Sequence, residues 1–134
     1  MRETHVVTSF LVHEGKILIL KRSDKVGSFP GAWAGISGYI EEGEAPLQCA
    51  IKEIREETGL KEEEITLISA GDAMVTKKDD KTWVVHPFLF ETEKKDICLD
   101  WEHEQCEWID PKEIEKYETV PDLKKVLESV TNAH

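Results

Sequence analysis

The segment Gly38–Leu60, GYIEEGEAPLQCAIKEIREETGL, contains a helix whose charges stand in the wrong place. Pro46 suits a first helical turn and Gly59 a left-handed stop, so a helix is predicted between them. Leu47, Ala50, Ile51 and Ile54 recur at i, i+3, i+4 and i+7, giving one apolar stripe for a core. Beside that stripe, within about 100° of helix surface, stand Glu53, Glu56 and Glu57. Like charges at these spacings cost about 0.2–0.5 kcal/mol per pair, and the negative end of the helix dipole adds about 0.3–1 kcal/mol per charge. Lys52 precedes Glu56 at i,i+4, the weaker orientation, and offsets little. Two readings are open: a solvated charged face, or an edge that hard cations neutralise.

Outward from this helix the chain mixes strands and helices. THVVTSFLVHEGKILILKRS reads as strands at roughly 4–12 and 16–22 that turn at Glu14-Gly15. Residues 24–33, punctuated by Gly27, Pro30 and Gly31, read as loop. WAGISGYI is a short strand broken by Gly35 and Gly38, and EEGEAPLQ a second loop. After the helix, 64–71 and 82–92 read as strands, with the polar stretch DAMVTKKDDK a mobile loop between them. CEWID (106–110) is a short strand, and Asp110-Pro111-Lys112-Glu113 matches a capping box before a brief helix. A last helix from about Pro121 carries Leu123, Val126, Leu127 and Val130 at core spacing. Without regular βαβ alternation, a mixed sheet is expected in an α/β (α+β) fold.

The 134 residues suit one domain spanning 1–134, and 40% apolar with 34% charged residues is a globular composition. A net charge of −11 argues against nucleic acid or anionic lipid as a partner. It would also repel a phosphate compound unless cations intervene. Cys49, Cys98 and Cys106 form no paired motif and read as reduced thiols of a cytoplasmic protein. The opening residues lack the charged and apolar regions of a signal peptide, and no apolar run is long enough to span a bilayer.

The same segment resembles the Nudix box: glycine, five residues, Glu, seven residues, then Arg-Glu-apolar-x-Glu-Glu-x-Gly-apolar. Gly38, Glu44, Glu53, Ile54, Glu56, Glu57, Gly59 and Leu60 fall in register, and Lys52 stands where the family has arginine. The resemblance favours the cation reading of the acidic edge. It implies a Nudix-type α/β/α sandwich with a mixed sheet and hydrolysis of a nucleoside diphosphate linked to another group. It further implies Mg2+ (or Mn2+) held by Glu53, Glu56 and Glu57 and by the backbone carbonyl of Ser37, with one glutamate also taking a proton from water. Glu44 would support the loop and helix start. The arginine that Lys52 replaces is thought to brace the glutamates, and lysine keeps its charge but loses the planar fork.

The family often recruits another glutamate before a late Trp-containing strand. Glu104 is the choice here, with Glu102 next and Glu107 also ahead of Trp108. Arg22 either touches phosphate or is a surface arginine; Trp33 either stacks on a base or closes the core. Trp83 and Trp101 read as packing or rim residues. The signatures of the NADH, coenzyme A and ADP-ribose branches are absent, and the nucleotide substrate is left unnamed. The alternative to a hydrolase is a Nudix-fold module that binds a nucleotide without cleaving it, as a monomer or homodimer in either case. Intact glutamates favour the enzyme.

Overall fold

The computed structural model describes residues 3–24, 29–78, 80–95, 97 and 103–131. Its axis is β1 (Glu3–His13), which turns into β2 (Lys16–Arg22) through Glu14 and Gly15 at φ 50 and 80. Two successive left-handed residues are what a type I′ hairpin turn requires. β2 leaves β1 after pairing Val12 with Ile17 and His13 with Lys16, then pairs with β3 (Trp33–Ala34) and β8 (His103–Ile109). β4 (Ile36–Tyr39) takes the vacated place beside β1, opposite Val6–Ser9. The chain crosses from one neighbour to the other at Gly35, where a Cβ would lie 2.9 Å from the Ser9 carbonyl oxygen.

On the other side of β1 lies β7 (Lys81–Thr92), parallel to it from Glu3 opposite Thr82 to Val12 opposite Glu91. β5 (Ile65–Ala70) and β6 (Met74–Lys78) pair antiparallel with β7, so the sheet is mixed, as expected. β6 corrects the reading of 72–81 as a loop. It pairs with β7 alone among the described strands, so Thr76 and Lys77 sit on an edge, and Val75 is left 61% exposed.

Each face of the sheet carries one helix. α1 (Pro46–Thr58) covers Val7, Leu11, Ile36, Phe88 and Phe90 with Ala50 and Ile54. α2 (Leu123–Thr131) covers Phe10, Ile19 and Leu89 with its expected stripe of Leu123, Val126, Leu127 and Val130. The result is an α/β/α sandwich. α1 ends at Gly59, φ 81, whose N–H donates to the Arg55 carbonyl at 2.9 Å. Its buried face is rotated from the predicted stripe: Leu47 is exposed, whereas Cys49, Ala50, Ile54, Glu57 and Thr58 are buried. One of the three glutamates therefore occupies a core position. After β8, the Asp110 side chain accepts the Lys112 N–H at 2.9 Å and caps a 3-10 turn, Pro111–Lys116.

Candidate active site

α1 crosses β4 antiparallel. The Cys49 thiol donates to the Tyr39 carbonyl at 3.4 Å, and one turn later Glu53 presses on Gly38. A Cβ at Gly38 would lie 2.3 Å from Glu53 Cδ and 2.6 Å from Oε1, so glycine is what lets the carboxylate reach the strand. Glu53 and the exposed Glu56 then open onto a cleft of about 410 Å3 together with Ser37, Gly38, Glu41 and Lys52. Ser37 Oγ is 3.2 Å from Thr8 Oγ1, which orients its side chain along the same wall. Glu57 is turned inward and is 2% exposed.

The loop before α1 is held by charge. Lys52 Nζ lies 2.9 Å from Glu44 Oε2 and 3.9 Å from Glu41 Oε1, while Glu44 Oε1 accepts the Glu41 N–H at 3.0 Å. The Glu41 N–H and then the Lys52 ammonium hold the Glu44 carboxyl below the usual carboxylate range. Glu44 in turn raises the Lys52 ammonium above the usual lysine value. Lys52 thus joins the helix to the loop through Glu44, where the resemblance implied a brace on the helix glutamates themselves. Burial and the neighbouring Glu44 and Glu53 charges push the Cys49 thiol up to about 12, which makes it an inert packing group.

The other half of the cleft is apolar. The parallel register of β1 and β7 sets Val6 beside Val85 and Thr4 beside Trp83, and Val6, Val85 and Trp83 all line it. Val120, Pro121 and Leu123, at the start of α2, line it as well. The Trp83 ring lies 6.1 Å from that of Tyr39, which stands at the mouth on β4. Arg22 also lines the cleft.

Trp33 is not among these lining residues. Its ring meets Tyr117 edge-on at 5.3 Å and packs on the α2 side of the core, which agrees with the core-closing alternative and not with a face offered to a base. The aromatic that sequence reasoning passed over is Trp83. Alternation in β7 puts it on one face with Val85, but only the long-range pairing with β1 shows that this face bounds a cleft. Glu104 lies in β8 where the register slips: Lys21 pairs with Gln105 and Arg22 with His103, leaving Glu104 as the extra residue. The side chain of Glu104 and all of Glu102 lie outside the described residues. Glu107 accepts the Tyr117 hydroxyl at 2.7 Å.

Hard carboxylate oxygens on a cleft edge fit Mg2+ in chemistry, and the glycine cradle under Glu53 gives one of them room. No three acidic, imidazole or thiolate side chains converge on one point among the described residues. Mg2+ does not demand that they should, since it is bound through one or two carboxylates with waters and substrate phosphates completing its shell.

The family model for the NUDIX domain matches residues 3–130. The chain belongs to the Nudix family. Among its Nudix relatives, the nucleoside triphosphatase NudI of Salmonella newport (strain SL254) is 29% identical over 127 residues, 88% of this chain and 89% of that protein. The MutT protein of Methanosarcina mazei Go1 superposes with a TM-score of 0.78 at 22% identity, over 94% of this chain and 91% of that one. The dihydroneopterin triphosphate pyrophosphohydrolase of E. coli gives 0.78 at 19% identity, over 97% and 96%. These structural likenesses establish the Nudix fold. As a Nudix hydrolase, the protein is an enzyme of the class that acts on phosphate anhydrides. No helix among the described residues is long and apolar enough to cross a membrane.

Proposed function

We propose that this Nudix hydrolase cleaves the diphosphate linkage of a nucleoside diphosphate derivative, with Mg2+, or Mn2+ in its place, as cofactor. The observation that carries this is one cleft with two unlike ends. Glu53 and Glu56 edge it on one side, and an apolar wall with Trp83 bounds the other. A polyphosphate with a heterocycle at one end is divided the same way. A relative that is a nucleoside triphosphatase and a structural neighbour that is a dihydroneopterin triphosphate pyrophosphohydrolase support it.

Glu53, Glu56, Glu57 and the Ser37 carbonyl would hold the cation, which when bound supplies the charge that neutralises phosphate oxygens and lowers the pKa of water. Trp83 offers a stacking face to the ring, and Arg22 a positive charge to the phosphates. Glu56, exposed on the cleft, takes the proton of the attacking water, and the Glu104 carboxylate is a second base for this step. Lys52, through Glu44, keeps the loop and α1 in register. The enzyme acts in the cytoplasm as a monomer or homodimer.

A panel of nucleoside di- and triphosphates and their derivatives, incubated with Mg2+ and resolved by chromatography, tests the reading. At least one should be cleaved at a phosphoanhydride, faster at mildly alkaline pH, and excess chelator should stop the reaction. Full turnover in chelator, or binding of a nucleotide with no cleavage of any compound, would overturn it.

A further inference from the structure

Two buried polar side chains interrupt the apolar contact between α1 and the sheet. Glu57 is 2% exposed, and it is the one charged residue among the buried ones described. Ser9 is 0% exposed, and its hydroxyl has no hydrogen-bond partner among the described residues.

Register brings the two to one place. β1 pairs with β4 as Val7 opposite Gly38 and Ser9 opposite Ile36. Val7 and Leu11 point to the α1 side of the sheet, so Ser9 between them does too. The helix runs along β4 from Tyr39, under Cys49, to Gly38, under Glu53. One more turn, about 5.4 Å, carries it from Glu53 to Glu57. Two strand residues, about 6.6 Å, carry β4 from Gly38 to Ile36. Glu57 therefore stands over the pair formed by Ile36 and Ser9.

A buried hydroxyl that makes no hydrogen bond costs what a lost bond costs, so a fold that retains one calls for an explanation. The strand neighbours of Ser9 are Ile36 and Phe88, whose side chains hold no acceptor. The other buried hydroxyl of this helix end, Thr58 Oγ1, already donates to the Ile54 carbonyl at 2.6 Å. The Glu57 carboxylate, on the turn of α1 that register sets over Ser9, is an acidic acceptor on this side of the sheet, while Glu53 stands one turn away over Gly38. We propose that Ser9 is a positioning residue for the cation: its hydroxyl donates to Glu57 when that carboxylate holds the metal, fixing which oxygen faces the cleft. A carboxylate ligand held on its far side by a donor binds metal more tightly than one left to rotate. The inference rests on the reading of the α1 glutamates as cation ligands.

The test is Mn2+ binding to the substrate-free protein, followed by the electron paramagnetic resonance of free Mn2+, with melting temperature in excess chelator as the second readout. Ser9→Ala should weaken Mn2+ binding about tenfold, and its melting temperature in chelator should equal or exceed that of the parent. Unchanged affinity would overturn the proposal. So would a lower melting temperature in chelator, which would assign the hydroxyl to the fold. Glu57→Gln separates the two levels: if it abolishes Mn2+ binding while Ser9→Ala leaves it intact, only the role of Ser9 falls. Binding that survives Glu57→Gln would remove the cation reading, and this proposal with it.

Discussion

Gly38 lacks a side chain because Glu53 fills the space one would need. The atoms that a methyl group would meet are the outer atoms of that glutamate, at 2.3–2.6 Å, so Gly38→Ala can be accommodated by pushing the carboxylate aside. The variant should fold with a stability change under about 1 kcal/mol, within the usual range for a single substitution. Its turnover should fall about 100-fold, since a displacement of an ångström in a reacting group costs on that order. Wild-type turnover in Gly38→Ala would show that the position of Glu53 does not matter to the chemistry. Lys52 makes a second case. Lys52→Met removes the tie to Glu44 and should reduce turnover far more than loss of the exposed Lys125 does, whereas Lys52→Arg, able to meet Glu44 with a fork, should be tolerated. Near-parental activity in Lys52→Met would mean that the loop holds without it. Both contacts run between residues of the box, which the spacing marked as one unit, but which side chain meets which was not legible in it. The place of Trp83 at the cleft was not legible, because it depends on a parallel pairing across more than seventy intervening residues.

At the scale of the element, the three acids at the negative end of α1 are spread apart: Glu53 and the exposed Glu56 line the cleft, and Glu57 is buried. Capping and length were readable from Pro46 and Gly59, but the rotation was not. Apolar residues alone placed the stripe on Leu47, Ala50, Ile51 and Ile54; Leu47 falls outside the buried face, and a carboxylate in the core breaks the pattern that such readings rely on. The strand β6 was hidden for the converse reason, an edge strand in which Met74 and Val75 are followed by threonine and two lysines with no apolar alternation. If the glutamates crowd for a cation's sake, relieving the crowding should not harm the metal-free fold. Glu56→Gln should match the parent or gain about 0.2–0.5 kcal/mol per relieved pair in chelator, and Glu57→Gln, which removes a buried charge, should gain more. Mg2+ should raise the parent's melting temperature with concentration, as RT ln(1 + [L]/Kd) requires, and both variants should lose most of that rise. Variants clearly less stable than the parent in chelator, or a rise that survives both changes, would place the metal elsewhere and give these residues to the fold.

Across the whole molecule, 28 acidic residues against 17 basic ones leave the protein self-repelling at neutral pH, and the long parallel seam of β1 and β7 must hold against it. Near the start of that seam His5 Nδ1 lies 3.0 Å from His86 Nε2, with the rings stacked at 5.3 Å and Glu3 Oε1 3.7 Å from His5 Nε2. One imidazole must donate and the other accept, so the pair survives only while at least one ring is neutral. Burial, and secondarily the proximity of His5, lower the His86 pKa from its ordinary 6.5. Between that lowered value and 6.5 the unfolded chain binds more protons at this residue than the folded one. Stability therefore rises with pH across the window. The contribution is complete above 6.5, is lost as the pH falls toward the lowered value, and is constant below it. Thermal melts between pH 7.5 and 5.5, above the range where carboxylates titrate, should show the parent losing stability as the pH falls. In His86→Gln, whose amide can still bond to His5 but does not titrate, the slope should be shallower. Equal slopes in the two proteins would exclude His86 as the source. A steeper slope in the variant would mean that protonation of His86 favours the fold.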